Sequence, residues 1–242
     1  MQVDNLAVEL RPRPMAEAAD LGVRLVQANA GSVWRTCAPV FLGVALLCLS
    51  TGFIASWLPG LMMFWLKPWM DRSLLFVLSR AVFGQPTRWT DLWQAQRSVW
   101  WQGVWRTLLW RRFSPWRAFT LPIEQLEGQR GAARSARRQQ LLSGQRGAAG
   151  SLQAVFAHLE LFFSLSILAL VQLFAPEGTG SQVWNWLTSD AWQVAMVQAG
   201  TYMLLVACVE PFYVAAGFAM YLNRRVQLES WDIEQEFRRA FT

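Results

Sequence analysis

Val194 to Leu222 is a run of 29 residues in which Glu210 is the only charged side chain, and it stops at Asn223-Arg224-Arg225. A helix needs about 20 apolar residues to cross the hydrocarbon core of a bilayer. The run is therefore predicted to span a membrane, with Arg224 and Arg225 as a cytoplasmic stop. A carboxylate at that depth is costly and calls for a partner. Pro211 follows it and has no N–H, so the carbonyl of Ala207 is expected to lose its helical donor and the helix to kink. Glu210 beside a free carbonyl would form a polar notch of the kind that holds protons or cations in transporters. The alternative is a carboxylate neutralised by a neighbouring cation. Ala215, Ala216, Gly217 and Ala219 allow close helix packing, which favours a bundle around Glu210 over exposure to lipid.

Composition agrees with membrane residence. The chain is 54% hydrophobic and only 16% charged, against about 25% charged in soluble domains. Its 15 Trp suit the headgroup level, where the ring is buried and the N–H stays wet. The net charge of +6 comes from 21 Arg and Lys67. In such a chain it is a topology signal first, and no nucleic-acid partner is expected.

A second confident span is Cys37 to Leu58, uncharged and flanked by Trp34-Arg35 and Trp57. A third is Leu152 to Phe174, with His158 and Glu160 in its first third. Trp184, Trp186 and Trp192 then form the far interface. Residues 61–83 read two ways, because Lys67, Pro68, Asp71, Arg72 and Arg80 interrupt the apolar pattern: a polar crossing, or a surface helix with snorkelling cations. Arginine counts favour the crossing. Residues 1–36 hold four, 59–150 hold thirteen, 175–193 none and 223–242 four, so a crossing puts every basic segment on the cytoplasmic side.

The expected fold is an all-α integral membrane helical bundle with three to four crossing helices plus interfacial helices. A cytoplasmic segment, 1–36, carries a short helix from Met15 to Ala30. Then come a first hairpin (37–83), a Trp/Arg-rich cytoplasmic interfacial helix and linker (84–150), a second hairpin (152–174 and 194–222) and a cytoplasmic tail (223–242). Within 84–150, Trp89, Trp93, Trp100, Trp101, Trp105 and Trp110 mix with Arg97, Arg106, Arg111 and Arg112. Helical phase does not separate the two sets, which suits a helix lying partly on protein and partly on headgroups. Residues 113–150 read as a solvated linker in which Gly128–Ala133 recurs as Gly144–Ala149. Its arginines would be drawn to anionic lipid headgroups. The lack of a basic stretch before the first span argues against a cleaved leader.

Candidate chemistry is sparse. Glu210, Pro211, Lys67, Asp71 and Arg72 form the expected intramembrane polar cluster, with Lys67 or Arg72 as the partner of Glu210. His158 is the only histidine, and it does not share a helix face with Glu160, two residues on. Cys37, Cys48 and Cys208 lie in apolar runs without metal-ligand spacing and read as buried thiols. No metal or cofactor is expected. No H-E-x-x-H, G-x-S-x-G, phosphate-loop or dinucleotide motif occurs, so a non-enzymatic role is expected. Asp71, Glu124 and Glu127 are the acids to test for chemistry on lipid headgroups.

Two segments resemble a family of uncharacterised bacterial inner-membrane proteins. They are Trp65-Leu-Lys-Pro-Trp-Met-Asp-Arg72 with Leu75 to Gly84, and Glu210-Pro-Phe-Tyr-Val-Ala-Ala-Gly-Phe-Ala-Met-Tyr-Leu-Asn-Arg-Arg225 with Leu228 to Glu234. The family is similar in layout to the membrane domain attached to some glycerophosphodiester phosphodiesterases, and its genes occur near those of MoxR-type ATPases. The resemblance runs from about Ala18 to Arg239. It implies a multi-pass inner-membrane protein with both termini cytoplasmic, serving as a component or scaffold of an envelope-associated assembly with a membrane or cytoplasmic protein partner. The alternative is a transporter or channel subunit using Glu210. Longer relatives continue into an extra-membrane domain, which is expected to be absent here or encoded separately.

Overall fold

The longest apolar run becomes the longest helix. The computed structural model describes residues 12–109, 111–189 and 191–229. In it α10 (Trp192–Glu229) has 38 residues, about 57 Å at about 1.5 Å per residue and nearly twice a roughly 30 Å hydrocarbon core. Its antiparallel companion is assembled from two helices, α1 (Met15–Ala28) and α2 (Ala30–Ser50). Polar latches fix the register. At one end the Arg13 N–H donates to Asn223 Oδ1 at 2.9 Å, and Asn223 Nδ2 donates to the Arg13 carbonyl at 2.8 Å. At the other, Trp192 Nε1 donates to the Gly52 carbonyl at 3.1 Å.

Environment changes along α10. From Trp192 to Cys208 it leaves apolar side chains such as Val197 and Leu204 exposed, and from Val209 to Val226 it is mostly buried. Leu42, Leu46 and Leu47 on α2 are exposed too, as is most of α8 (Arg146–Leu173) beyond Val155. An apolar surface this extensive, on helices of this length, is a lipid-facing belt. Ala30–Phe53, Arg146–Leu173 and Trp192–Glu229 are each long and apolar enough to cross a membrane. The chain is an all-α bundle of membrane-crossing length, with no strand among the described residues.

α3 (Leu58–Ala81) returns alongside α2. Just past its end the Thr87 carbonyl accepts the hydroxyls of Ser32 and Thr36 at 3.3 and 2.7 Å. Lys67, Asp71 and Arg72 are buried inside the protein, so these side chains do not snorkel to the surface. The interfacial helix expected next is instead broken. α4 (Trp89–Gln94) is followed by a π turn over Arg97–Trp101, then Gly103 at φ +71° and α5 (Val104–Leu109). Trp69, Trp89 and Trp93 gather around Trp100 with ring centroids 5.7–6.1 Å apart.

Residues 113–150 are not the solvated linker expected. They fold as α6 (Arg117–Gln125) and α7 (Gly131–Leu142), and Arg117 through Glu124 are buried throughout. The small residues of α10 explain why. A Cβ at Gly217 would collide with Ala118, so its absence lets α6 lie directly on α10, where Phe119, Leu121 and Ile123 fill the core. Gly22 of α1 lies in the same way against the backbone of Ala215 and Ala216. α9 (Gly180–Leu187) follows α8, with Trp184 and Trp186 exposed, as is Trp57. Cys37 and Cys48 are buried, but Cys208 is exposed, on the lipid-facing side of the burial change in α10. Residues 1–11, Trp110 and the segment from Ser230 onward lie outside the described residues. So do most of the Leu228–Glu234 motif and the direction of both termini.

Candidate functional site

Glu210 is fully buried, and its oxygens face two cations from two other helices. Lys67 Nζ of α3 lies 2.8 Å from Oε2, and Arg117 Nη2 of α6 lies 2.5 Å from Oε1. Arg117 Nε lies 2.9 Å from Asp71 Oδ2, so one guanidinium spans two buried carboxylates, one on α10 and one on α3. Lys67 also reaches Glu160 of α8 in a close ion pair. Lys67, Arg117, Asp71 and Glu210 are each at most 5% exposed in their side chains, and Glu160 is 16% exposed. Two cations and three carboxylates thus tie α3, α6, α8 and α10 together. The Tyr213 ring packs against the Arg117 guanidinium at 4.9 Å, while its hydroxyl donates to Gln153 and accepts from the Ala118 N–H. Burial works against the charge on Arg117, but Asp71, Tyr213 and Glu210 more than restore it and hold its pKa above the ordinary guanidinium value.

Arg72 is not a partner of Glu210. Five residues beyond Lys67, about 140° round the helix, it points to another side of α3 and donates to the carbonyls of Gln102 and Ser98 and to Thr107 Oγ1. It satisfies the backbone of the broken π turn, where carbonyls lack helical donors. The free carbonyl expected at Ala207 is also filled. Trp34 Nε1 donates to it at 3.3 Å, and α10 continues through Pro211 as one helix. The notch next to Glu210 therefore offers no open backbone ligand.

Arg224 and Arg225 serve the packing of α7. Arg224 donates to the carbonyls of Leu141 and Ser143 at its end, and Arg225 pairs with Glu229 at 2.6 Å. The acids Asp71, Glu124 and Glu127 all face arginines. Glu127 takes a fork from Arg137 with bonds of 2.9 Å and a hydrogen bond from Tyr221 at 2.6 Å. His158 is exposed, with Nδ1 2.7 Å from the Ala154 carbonyl, apart from the cluster. Among the described residues, no three His, Cys, Asp or Glu side chains gather as metal ligands would.

Sequence reasoning missed Arg117 and the role of Glu160. A charge count carried a signal. Asp71, Glu160 and Glu210 in apolar helices outnumber Lys67, and once Arg72 is turned away a further cation has to arrive from outside the spans. Comparison of the chain with protein-family models, curated proteins and solved structures finds no match. The likeness drawn from residues 65–84 and 210–234 therefore rests on those residues alone.

Proposed function

We propose that the chain is a non-enzymatic integral membrane protein that serves as a structural component of a larger membrane assembly. In this reading the Lys67–Glu210–Arg117–Asp71 cluster is a lock and not a reaction centre. The observation that carries it is the saturation of Glu210, which is fully buried and ion-paired on both oxygens by side chains from two other helices. Catalytic carboxylates need access to a substrate, and Asp71 and Glu127 are instead paired with arginines at 2.9 Å. The inner membrane of a bacterium, with the Arg-rich side cytoplasmic, is the setting we propose from the arginine distribution and the family likeness.

Purification of the tagged chain at native expression in a mild detergent tests this role. A stoichiometric protein partner is the expected result. A lone homo-oligomer would overturn it.

One observation favours a second reading, a proton or cation pathway. A cavity of about 210 Å³ between α8 and α10 is lined by Gln198, Thr201 and Tyr202, and Tyr202 lies within electrostatic reach of Lys67, Glu160 and Glu210. Fully ionised, the cluster has one surplus carboxylate, which leaves a place for one proton. Glu160, its most accessible member, is the residue to change. If this reading holds, Glu160→Gln abolishes flux in liposomes while leaving abundance intact. Under the lock reading there is no flux to lose.

A further inference from the structure

The surface around α5 carries a second arginine cluster, built on different terms from the first. Arg106 of α5, Arg111 after it, and Arg134 and Arg138 of α7 line one small cavity together with Ser114 and Thr120. The anion already present is Glu124, and it serves its arginines poorly. Its oxygens lie 3.9 Å from Arg106, 3.7 Å from Arg111 and 3.4 Å from Arg134. The neighbouring Arg137–Glu127 fork shows what a satisfied pair looks like here, at 2.9 Å. Arg138 packs over the Trp116 ring at 5.2 Å. Arg111 is only 9% exposed in its side chain. Burial pulls the Arg111 guanidinium down to about 10, with Glu124 only partly opposing. Three of these cations, Arg106, Arg111 and Arg134, share the one carboxylate of Glu124.

We infer that this cavity is a binding site for a phosphate group, which supplies the missing negative charge. Arginine forks match tetrahedral oxyanions and make short charge-assisted hydrogen bonds to them. The cavity measures about 70 Å³, far below the roughly 300–1,000 Å³ of pockets that enclose a whole organic ligand. It therefore holds the phosphate and leaves the rest of the molecule outside.

The surroundings say what the rest could be. Val104 and Leu108 share one face of α5 and line an apolar cleft of about 410 Å³ with Leu47, Leu66, Trp69 and Trp100. Arg106 lies on the opposite face of that helix, since two residues turn it by about 200°. Trp101, Trp105 and Phe113 nearby are exposed. Exposed Trp105 and Phe113, next to Arg106 and Arg112 in the chain, give apolar surface beside the pocket that fits the acyl part of a phospholipid, and free phosphate shares the headgroup chemistry.

Native mass spectrometry of the full chain in a maltoside detergent tests the site, using dioctanoyl phosphatidic acid, dioctanoylglycerol as its phosphate-free counterpart, and inorganic phosphate. Phosphatidic acid binds and dioctanoylglycerol does not. Failure of inorganic phosphate to compete makes the ligand a lipid headgroup, whereas displacement at comparable concentration makes it a site for phosphate itself. Two charge-assisted contacts are removed in the double variant R106Q/R138Q, which weakens binding about tenfold or more. R24Q/R35Q removes the same charge from exposed positions elsewhere and changes binding by about twofold at most, the size of a general electrostatic effect. Unfolding temperature confirms that each variant is folded, and R138Q alone replaces the double variant if that one is not. The inference fails if phosphatidic acid binds no better than dioctanoylglycerol, or if the two double variants lose affinity equally.

Discussion

Each of the two charge clusters draws one residue from α6, Arg117 in the first and Glu124 in the second, and they differ in countercharge. On one face of α6, Arg117 meets Asp71 and Glu210 at 2.9 and 2.5 Å, and every charge has an opposite in contact. Near its far end, Glu124 faces three arginines at 3.4–3.9 Å and accepts only one long hydrogen bond, from Arg134 at 3.4 Å. The first arrangement is closed and stabilises the packing only as a whole. The second is open and gains from an added anion. Burial alone does not separate them, since Arg117 and Arg111 are both largely shielded. The ratio of cations to carboxylates does.

The largest effect is expected from Arg117→Gln. It leaves Asp71, Glu160 and Glu210 with Lys67 alone, and breaking a buried ion pair on one side costs about 3–5 kcal/mol. Unfolding in detergent should fall to much lower temperature and yield should drop. Adding Asp71→Asn should recover part of the loss, because residues that share a contact are not additive. A loss under about 1 kcal/mol, the size seen for exposed pairs, would show that water reaches Arg117 and would erase the contrast with Arg111.

Gly217→Ala tests the same cluster without touching a charge. The new methyl group collides with Ala118 and pushes α6 off α10, carrying Arg117 away from Glu210. Overpacking of this kind costs about 1–3 kcal/mol. If the helix contact and the ion pair are one unit, Gly217→Ala costs much less in the Arg117→Gln background. Full additivity would separate them. Trp34→Phe removes the indole donor from the Ala207 carbonyl while keeping an aromatic ring beside Phe212. It is expected to cost about 1 kcal/mol, the usual net value of one hydrogen bond, read by the same thermal unfolding. A neutral result would mean that water takes the place of Trp34 at the Ala207 carbonyl.

The membrane-crossing helices were legible because length and apolarity alone dictate them: the expected spans 37–58, 152–174 and 194–222 overlap Ala30–Phe53, Arg146–Leu173 and Trp192–Glu229, although the first helix starts earlier and ends before the expected bound. α3 was half legible. Its Lys67, Asp71 and Arg72 look like surface charges until their partners are known, and those partners lie 26 to 143 residues away in the chain. α6 was not legible as a core element. Its Arg117 and Pro122 sit between Arg-rich stretches, and only Phe119, Leu121 and Ile123 hint that the segment is buried. What placed it was Gly217, a missing side chain about 100 residues away, and no local pattern encodes such a fit. The Trp-rich stretch resisted a helical phase for a plain physical reason: it is not one helix but two short ones around a π turn.

Arg106→Gln is the mildest change and the one that most sharpens the contrast. Arg106 is 40% exposed and its carboxylate partner lies 3.9 Å away, so little attraction is lost with it. What goes is mutual repulsion with Arg111, Arg134 and Arg138, which share its cavity. Stability should stay within about 0.5 kcal/mol of the parent, as surface changes usually do. Any shift should be upward and larger at low ionic strength, where like charges repel over about 30 Å instead of about 10 Å. Added phosphate should narrow the difference, because it compensates the intact cluster and has less to compensate in the variant. A loss above about 1 kcal/mol, independent of salt, would mean that Arg106 and Glu124 form a structural pair. The second cluster would then be a lock like the first, closed by its own residues.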